Sequence, residues 1–454
     1  MFTRRQALKT LSSGFGYLAF AGLSHAGAAE EKKRIDPLSP KAPHFEAKAK
    51  RVIFLCMQGG PSHVDTFDYK PQLIKDDGKR GQYGGSLVRP FWDFQQRGES
   101  GLWISDLLPN IAQHADDLCL IRSMHCDQPL HPAAITQMHT GTAQFVRPSL
   151  GAWTLYGLGT ENNSLPGFIS MTPPDAARSF GSAFLPAVYG GSRIGRGVLF
   201  GSAPPLGKDS VRDIERGNQS RQQQRQQLDL IQTLNREKLE RDQYQPGVEG
   251  MIESYELAFR MQDAMPELMD TSGESKETLT MYGADYGPTA SFGQQCLLAR
   301  RFVEAGVRFV EVTLADWDHH SNFMQKHSER AVQCDQPIAA LLQDLKQRDM
   351  LKDTLVIWGG EFGRTPTAQG NGRDHNNKGY TYWMAGGGVK GGFSYGATDE
   401  HGVEAVENKC HVHDWHATVL HLLGLDHEQL TYRYGGRDFR LTDVHGNVAH
   451  EIIA

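Results

Sequence analysis

Short, continuous apolar runs separated by helical segments restrict the fold of this chain more tightly than any other feature. Val52-Ile53-Phe54-Leu55-Cys56-Met57 holds no polar residue, so a strand there must bury both faces. Leu118-Cys119-Leu120-Ile121, Val307 to Leu314, Thr354 to Trp358 and Tyr380 to Ala385 repeat the pattern. Helix-like spacing lies between them, around Leu107 to His114, Gln294 to Ala305 and about Glu329 to Arg348. Strands of this kind alternating with helices specify an α/β sheet, largely parallel. The pattern predicts one α/β domain over residues 51–454, with strands near 52–57, 118–122, 307–314, 354–358 and 380–385 in a single sheet.

Two regions differ in character. Arg212 to Gln243 is rich in Gln and Arg, with Leu228, Ile231, Leu234 and Leu239 near helical spacing. It reads as a long polar helix packed by one thin stripe, within a helical insertion at about 205–290. At the start, Thr3-Arg4-Arg5-Gln6-Ala7-Leu8-Lys9 is a twin-arginine pattern, followed by an apolar stretch from Leu11 to Leu23 and the small residues Ala26, Gly27 and Ala28. Residues 1–28 are therefore expected to be a Tat signal peptide, and 29–50 a polar, proline-spaced linker. The apolar stretch is short of the roughly 20 residues of a spanning helix. The expected location is periplasmic or extracellular, with no stable membrane span in the mature chain; an uncleaved anchor is the alternative.

Net charge is −6, so no global basic excess exists to neutralise phosphates and no nucleic-acid partner is expected. The six cysteines show no C-x-x-C spacing, which argues against a zinc knuckle or a thioredoxin-like site. Cys56 and Cys119 lie inside apolar runs and read as core residues. Histidine is abundant, at 19 residues, and its positions matter because it is the commonest metal ligand.

In open α/β sheets, ligands sit outside the carboxyl ends of the strands. Here those ends carry Gln58-Gly59-Gly60-Pro61-Ser62-His63-Val64-Asp65, then His125-Cys126-Asp127 with His131, then Asp316-Trp317-Asp318-His319-His320, then Glu361 and Arg364 with Asp374-His375. Acids and imidazoles at four strand ends can converge, as a one- or two-metal site with N and O ligands requires. Each cluster also has a structural reading: a Gly-Gly-Pro turn, an exposed histidine pair, a Glu in a helix first turn. His411-Val412-His413-Asp414-Trp415-His416 approximates a zinc signature, but its Asp sits one place early and it leads into a helix, so it reads as structural. Gly386 to Gly392 lacks dinucleotide-loop spacing and reads as a turn.

Met57 to Asp68, Trp317-Asp318-His319-His320-Ser321-Asn322-Phe323, Gly360 to Pro366, Gly372-Arg373-Asp374-His375-Asn376 and Asp414-Trp415-His416-Ala417-Thr418 resemble the domain-of-unknown-function family 1501. That family is a sulfatase-like group of the alkaline phosphatase superfamily. The resemblance covers nearly all of 51–454 and implies an alkaline-phosphatase-like three-layer sandwich with two metal sites around a nucleophile. Asp318, His320 and His375 match one site, with His319 as the alternative to His320. For the other, Glu361 occupies the later acid position, Phe362 stands where a His is usual, and neutral Gln58 ends the first strand. That second site is either lost or rebuilt from His63 and Asp65.

The nucleophile position also departs. His131 stands where Cys or Ser is usual, nine residues before Thr140, and no Cys-x-Pro-x-Arg signature is present. His131 is open to three roles, as ligand, general base or phosphohistidine-type nucleophile, and to a bland one as the cap of a helix starting near Ala133. Arg364 is either an anion clamp or a structural salt bridge. The expected function is an exported, metal-dependent hydrolase of phosphate or sulfate esters, using divalent ions (zinc, calcium or manganese) on small-molecule or polysaccharide substrates. The alternative is a non-catalytic sulfatase-like protein that binds a glycan or protein partner. The sequence sets no oligomeric state.

Overall fold

A computed structural model describes residues 36–174, 179–197, 203–207, 210–211, 220–242, 246–285 and 287–454. The twin-arginine leader, the first part of the linker and the start of the polar segment at Arg212 lie outside these residues. No described helix is long and apolar enough to cross a membrane.

The five apolar runs all enter one sheet. Its strands are β1 (Arg51–Met57), β2 (Leu118–His125), β3 (Phe168–Met171), β4 (Ser192–Ile194), β5 (Phe309–Leu314) and β6 (Thr354–Gly359). After the hairpin β7 (Gly363–Gln369) and β8 (Gly372–Asn376), which stands apart, the sheet adds β9 (Tyr380–Ala385), β10 (Phe393–Tyr395) and β11 (Cys410–His411). The order is β10-β2-β9-β6-β1-β5-β3-β4, with β11 beside β2. Strand β9 runs antiparallel to β2 and β6, whereas the remaining pairs are parallel. Leu55 of β1 pairs with Val312 on one side and Trp358 on the other.

Alternation along β1 shows why this strand has no polar position. Ile53, Leu55 and Met57 enter the core that contains Leu297 and Phe302 of α5 (Ala290–Glu304) and Leu341 of α6 (Phe323–Gln347). Val52, Phe54 and Cys56 enter the opposite core. That core holds Met138 of α1 (His131–Thr140), Trp153 of α2 (Leu150–Leu158) and Trp415 of α7 (Val412–Leu422). The molecule is thus a three-layer α/β/α sandwich with a mostly parallel sheet. All six cysteines are free and buried.

Some boundaries move. The third predicted strand begins at Phe309 rather than Val307, because Val307 N–H still donates to Phe302 of α5 and the Arg308 guanidinium donates to the Lys50 and Gly159 carbonyls. Around Leu107 to His114 there is only a short 3-10 turn at Ile111–Asp117. In the polar region, α3 (Arg221–Asp242) precedes α4 (Pro246–Met269), but only part of the expected leucine stripe packs inward, and the Leu239 side chain lies outside the described residues. Leu228 and Gln232, one turn apart, are buried, while Ile231 and Leu234 are exposed. Gln232 donates to the Ile252 carbonyl, and Arg225 forks onto Glu256 at 2.8 and 2.9 Å. Polar pairs therefore add to the buried Leu228 in holding these helices together.

One buried ion pair fixes α1 on the sheet. His139 Nε2 lies 3.2 Å from Glu311 Oε2 of β5, with both side chains almost sealed from solvent. Its Nδ1 bonds the Ile135 carbonyl at 2.8 Å. Burial alone lowers the imidazole pKa, but the Glu311 charge and hydrogen bond carry it above the ordinary value. A raised folded pKa means this stabilisation is complete below the unfolded value near 6.5 and is lost as pH climbs through the folded value. We expect Glu311→Ala to cost about 3–5 kcal/mol, as removal of one partner from a buried pair does, measured by urea unfolding at pH 6. The loss should shrink in alkaline buffer; a pH-independent loss would show that the pair carries no charge.

Candidate metal centre

The site is assembled from loops leaving the carboxyl ends of β1, β2, β5 and β6, plus the β7–β8 hairpin. Gly59 lets the β1 loop meet the β5 loop, and Gly60 lets it meet Phe362 in the loop after β6. Gly59 has φ +111°, and a Cβ there would sit 2.6 Å from the Trp317 nitrogen and 2.7 Å from that of Asp318. No side chain fits in that space. The Trp317 N–H then donates to the Gln58 carbonyl at 3.1 Å, which brings Asp318 over the end of β1.

Asp318 is the hub. Its Oδ1 lies 2.8 Å from His320 Nε2, 3.2 Å from His131 Nε2, 3.3 Å from His375 Nε2 and 2.7 Å from Arg364 Nη2. Burial alone would raise the Asp318 carboxyl, but His131, His375 and Arg364 hold it far below the usual carboxylate range. Burial pulls the His131 imidazole down, yet the flanking Asp318 and Glu361 carry it up to about 9.

The opposite nitrogen of each imidazole is anchored. His131 Nδ1 is 2.5 Å from Glu361 Oε1, His375 Nδ1 is 2.9 Å from the Pro129 carbonyl, and His320 Nδ1 bonds Gln369 Oε1. Each acceptor fixes its imidazole with the proton on Nδ1 and the Nε2 lone pair turned toward Asp318. Three such lone pairs beside one carboxylate oxygen repel unless a cation or proton lies among them. His131 Nε2 is buried and has no aligned hydrogen-bond partner. The donor atoms of His131, Asp318 and His375 lie within 4.8 Å of one another, as do those of His320, Asp374 and His375. These imidazole and carboxylate donors fit a divalent ion of the zinc type.

Glu361 stands one step back. Both its oxygens accept from the Gly59 N–H at 3.0 Å, and Oε1 also holds His131. It orients a ligand rather than joining the donor cluster. Nor is Arg364 an anion clamp. Fully buried, it donates to the Gly59, Gly60 and Trp317 carbonyls, to the Arg373 carbonyl and to Asp318. No face of it is left for a substrate. His131 is not a cap either: it begins α1, whose N-cap is Leu130 with no side-chain cap.

His63 and Asp65 are not brought to the cluster. His63 Nε2 bonds the Gly402 carbonyl at 2.8 Å in a buried 3-10 turn, and burial lowers its pKa. Asp65 lies 2.7 Å from Arg373 Nε, with both side chains fully buried, and accepts from Ser62 Oγ and Phe91 N–H. A carboxylate so engaged is a structural counter-ion. His319, the alternative to His320, points away: its Nδ1 is 3.0 Å from that of His327, and burial lowers its pKa to about 3. The His411 segment starts α7 through a capping box with Asp414.

The sequence places Asp374 beside His375 among the converging groups but gives it no ligand role, and the structure brings it to His320 and His375. Sequence reasoning passed over Gln369 and the Pro129 carbonyl, whose roles depend only on folded proximity.

Residues 49–453 match the family described as Protein of unknown function (DUF1501). The chain belongs to that family. No curated protein matches it. Among solved structures it is similar to the lipoteichoic acid synthase LtaP from Listeria monocytogenes, at 9% identity and TM-score 0.39 over 90% of this chain and 78% of that one. It is also similar to the phosphonate monoester hydrolase of Agrobacterium radiobacter, at 12% identity and TM-score 0.37 over 83% and 74%. A third is the PsFucS1 sulfatase from Pseudoalteromonas sp., at 13% identity and TM-score 0.35 over 84% and 68%.

For this DUF1501 chain the Gly59 contact provides a direct check on the loop arrangement. Gly59→Ala should cost about 2 kcal/mol or more, since it combines left-handed backbone strain with a backbone clash. Gly78→Ala has positive φ but open space around it and should cost about 1 kcal/mol. Urea midpoints of the two variants check this; equal midpoints would remove the clash from the account.

Proposed function

We propose that this protein is an exported, metal-dependent hydrolase of phosphate or sulfate esters, with His131, Asp318, His320 and His375 as the metal-holding set. The observation that carries the reading is the aim of three Nδ1-anchored imidazoles at one carboxylate oxygen. A divalent ion bound there supplies Lewis-acid polarisation of an ester oxygen. The family resemblance supports the ester class, and the twin-arginine pattern at Arg4-Arg5 with residues 1–28 supports export of the folded chain.

The chain's own residues divide the remaining work. Glu361 accepts the His131 Nδ1 proton and so keeps Nε2 turned inward. Arg364 compensates Asp318 and fixes its position. Cys126 donates to the Glu361 carbonyl, but burial pushes its pKa up to about 12, so it is a thiol and not a thiolate nucleophile. With His131 Nε2 committed to the cluster, water is the attacking group this site favours. A non-catalytic shell retains the same cluster but turns nothing over, and the assay below separates the two.

The test is total-metal analysis of the purified full chain with turnover of aryl phosphates and aryl sulfates. Near-stoichiometric divalent metal is expected, lost in His131→Ala and Asp318→Ala, with turnover abolished by chelation. Glu361→Gln should weaken metal affinity about 10–100-fold, the usual effect of removing a carboxylate that orients a ligating histidine. Unchanged metal content in His131→Ala, or turnover indifferent to chelation, would overturn the reading.

A further inference from the structure

A second polar cavity opens on the same edge of the sheet, beyond the end of β4. Strand β4 lies parallel to β3, with Arg193 opposite Ser170, and the chain leaves it at Gly195. The Gly195 N–H donates to the Ser210 carbonyl at 2.8 Å. Leu206 exchanges two hydrogen bonds with Gln294 of α5, at 2.8 and 2.9 Å. These bonds hold a wall around a cavity of about 480 Å³ lined by Thr172, Arg193, Gly195, Arg196, Leu206 and Ser210. Arg193 is half-buried and Arg196 exposed. Among the described residues no carboxylate lines the cavity, and neither guanidinium has an ion-pair partner. The Thr172 hydroxyl is already engaged by Gln295 and the Thr313 carbonyl. Arg300, Arg301 and Arg373, by contrast, each face an acid.

In a chain of net charge −6, two guanidiniums without an ion-pair partner among the described residues make this cavity locally positive. Such groups select planar or tetrahedral oxyanions. Strand β4 is two strands from β5, whose exit loop carries Asp318. Asp318 itself lies over the end of β1, one strand further, so at roughly 4.8 Å per strand the two sites lie about 14 Å apart along the edge. That span is too long for a single monoester and suits an extended molecule with repeated anionic groups. Among the described lining residues none is aromatic, so they offer no platform for stacking a base, which favours a saccharide.

We propose that Arg193 and Arg196 form an anion subsite for a second sulfate, phosphate or carboxylate group of an anionic polysaccharide whose ester lies at the Asp318 centre; this rests on the hydrolase reading above. The test is calorimetric titration of the full chain with dextran sulfate, dextran phosphate, polygalacturonate and neutral dextran. At least one polyanion should bind, with affinity falling as salt rises, and neutral dextran should not. R193Q and R196Q should each weaken that binding about tenfold, the scale of one charge-assisted hydrogen bond. R433Q, whose Arg pairs with Asp438 elsewhere on the surface, should not change it. The polyanion preferred identifies the anionic group. Binding is read directly, so failure of the aryl-ester assay does not decide this test. Wild-type affinity in the R193Q/R196Q double variant with an unchanged thermal midpoint, equal binding of neutral dextran, or no polyanion binding would each overturn the proposal.

Discussion

The Arg364 guanidinium is the interaction on which the site depends. It is fully buried, and an unpaired charge there would be intolerable. The fold answers with the carbonyls of Gly59, Gly60 and Trp317 and the carboxylate of Asp318. Those acceptors come from the loops after β1 and β5, while Arg364 itself begins the β7–β8 hairpin. One planar group with five donors therefore fixes three separate loops at once. A lysine offers a point charge in place of this fork and would leave several carbonyls unsatisfied.

A second buried pair extends the same logic outward. Arg373 of β8 meets Asp65 at 2.7 Å and also donates to the Val88, Arg89 and Thr365 carbonyls. This pins the hairpin that carries His375 to the loop after β1. The imidazole is then placed by two anchored elements, and its Nδ1 needs only the Pro129 carbonyl to complete the orientation. Glu361 acts similarly on the other side. Because both its oxygens are held by the Gly59 N–H and one also holds His131, it serves as the carboxylate that orients this imidazole.

The sheet was legible in the sequence because six consecutive apolar residues in β1 leave no face for water. Asp318 and His375 were legible for a related reason: acids and imidazoles just past buried strands have few places to go except the carboxyl edge. His63 and Asp65 met the same description and went elsewhere. What separates Asp65 from Asp318 is Arg373, a partner 308 positions away, and no local pattern encodes that distance. The choice between His319 and His320 depends on which side of an irregular loop faces His327, which the sequence leaves open. In α3 the leucine spacing misled because Gln232 and Arg225 satisfy each other's surroundings with α4 through polar contacts, an arrangement that hydrophobic periodicity does not record.

Charge explains why these parts belong together. At the cluster, Asp318 and Glu361 face one compensating guanidinium, Arg364, so these three groups carry a net negative charge when His131 is neutral. Asp374, exposed at the rim, adds a charge that water screens. His131 also sits in the first turn of α1, where the helix dipole opposes a cation and the two carboxylates are needed to outweigh it. Without an ion this environment keeps a proton on His131, whose charge then offsets the excess carboxylate. Under the proposed reading, a divalent ion would make the cluster positive, the sign that Arg193 and Arg196 carry farther along the same sheet edge. On the hydrolase reading proposed above, a divalent ion bound there would displace that proton and supply the positive charge to which an anionic ester is drawn.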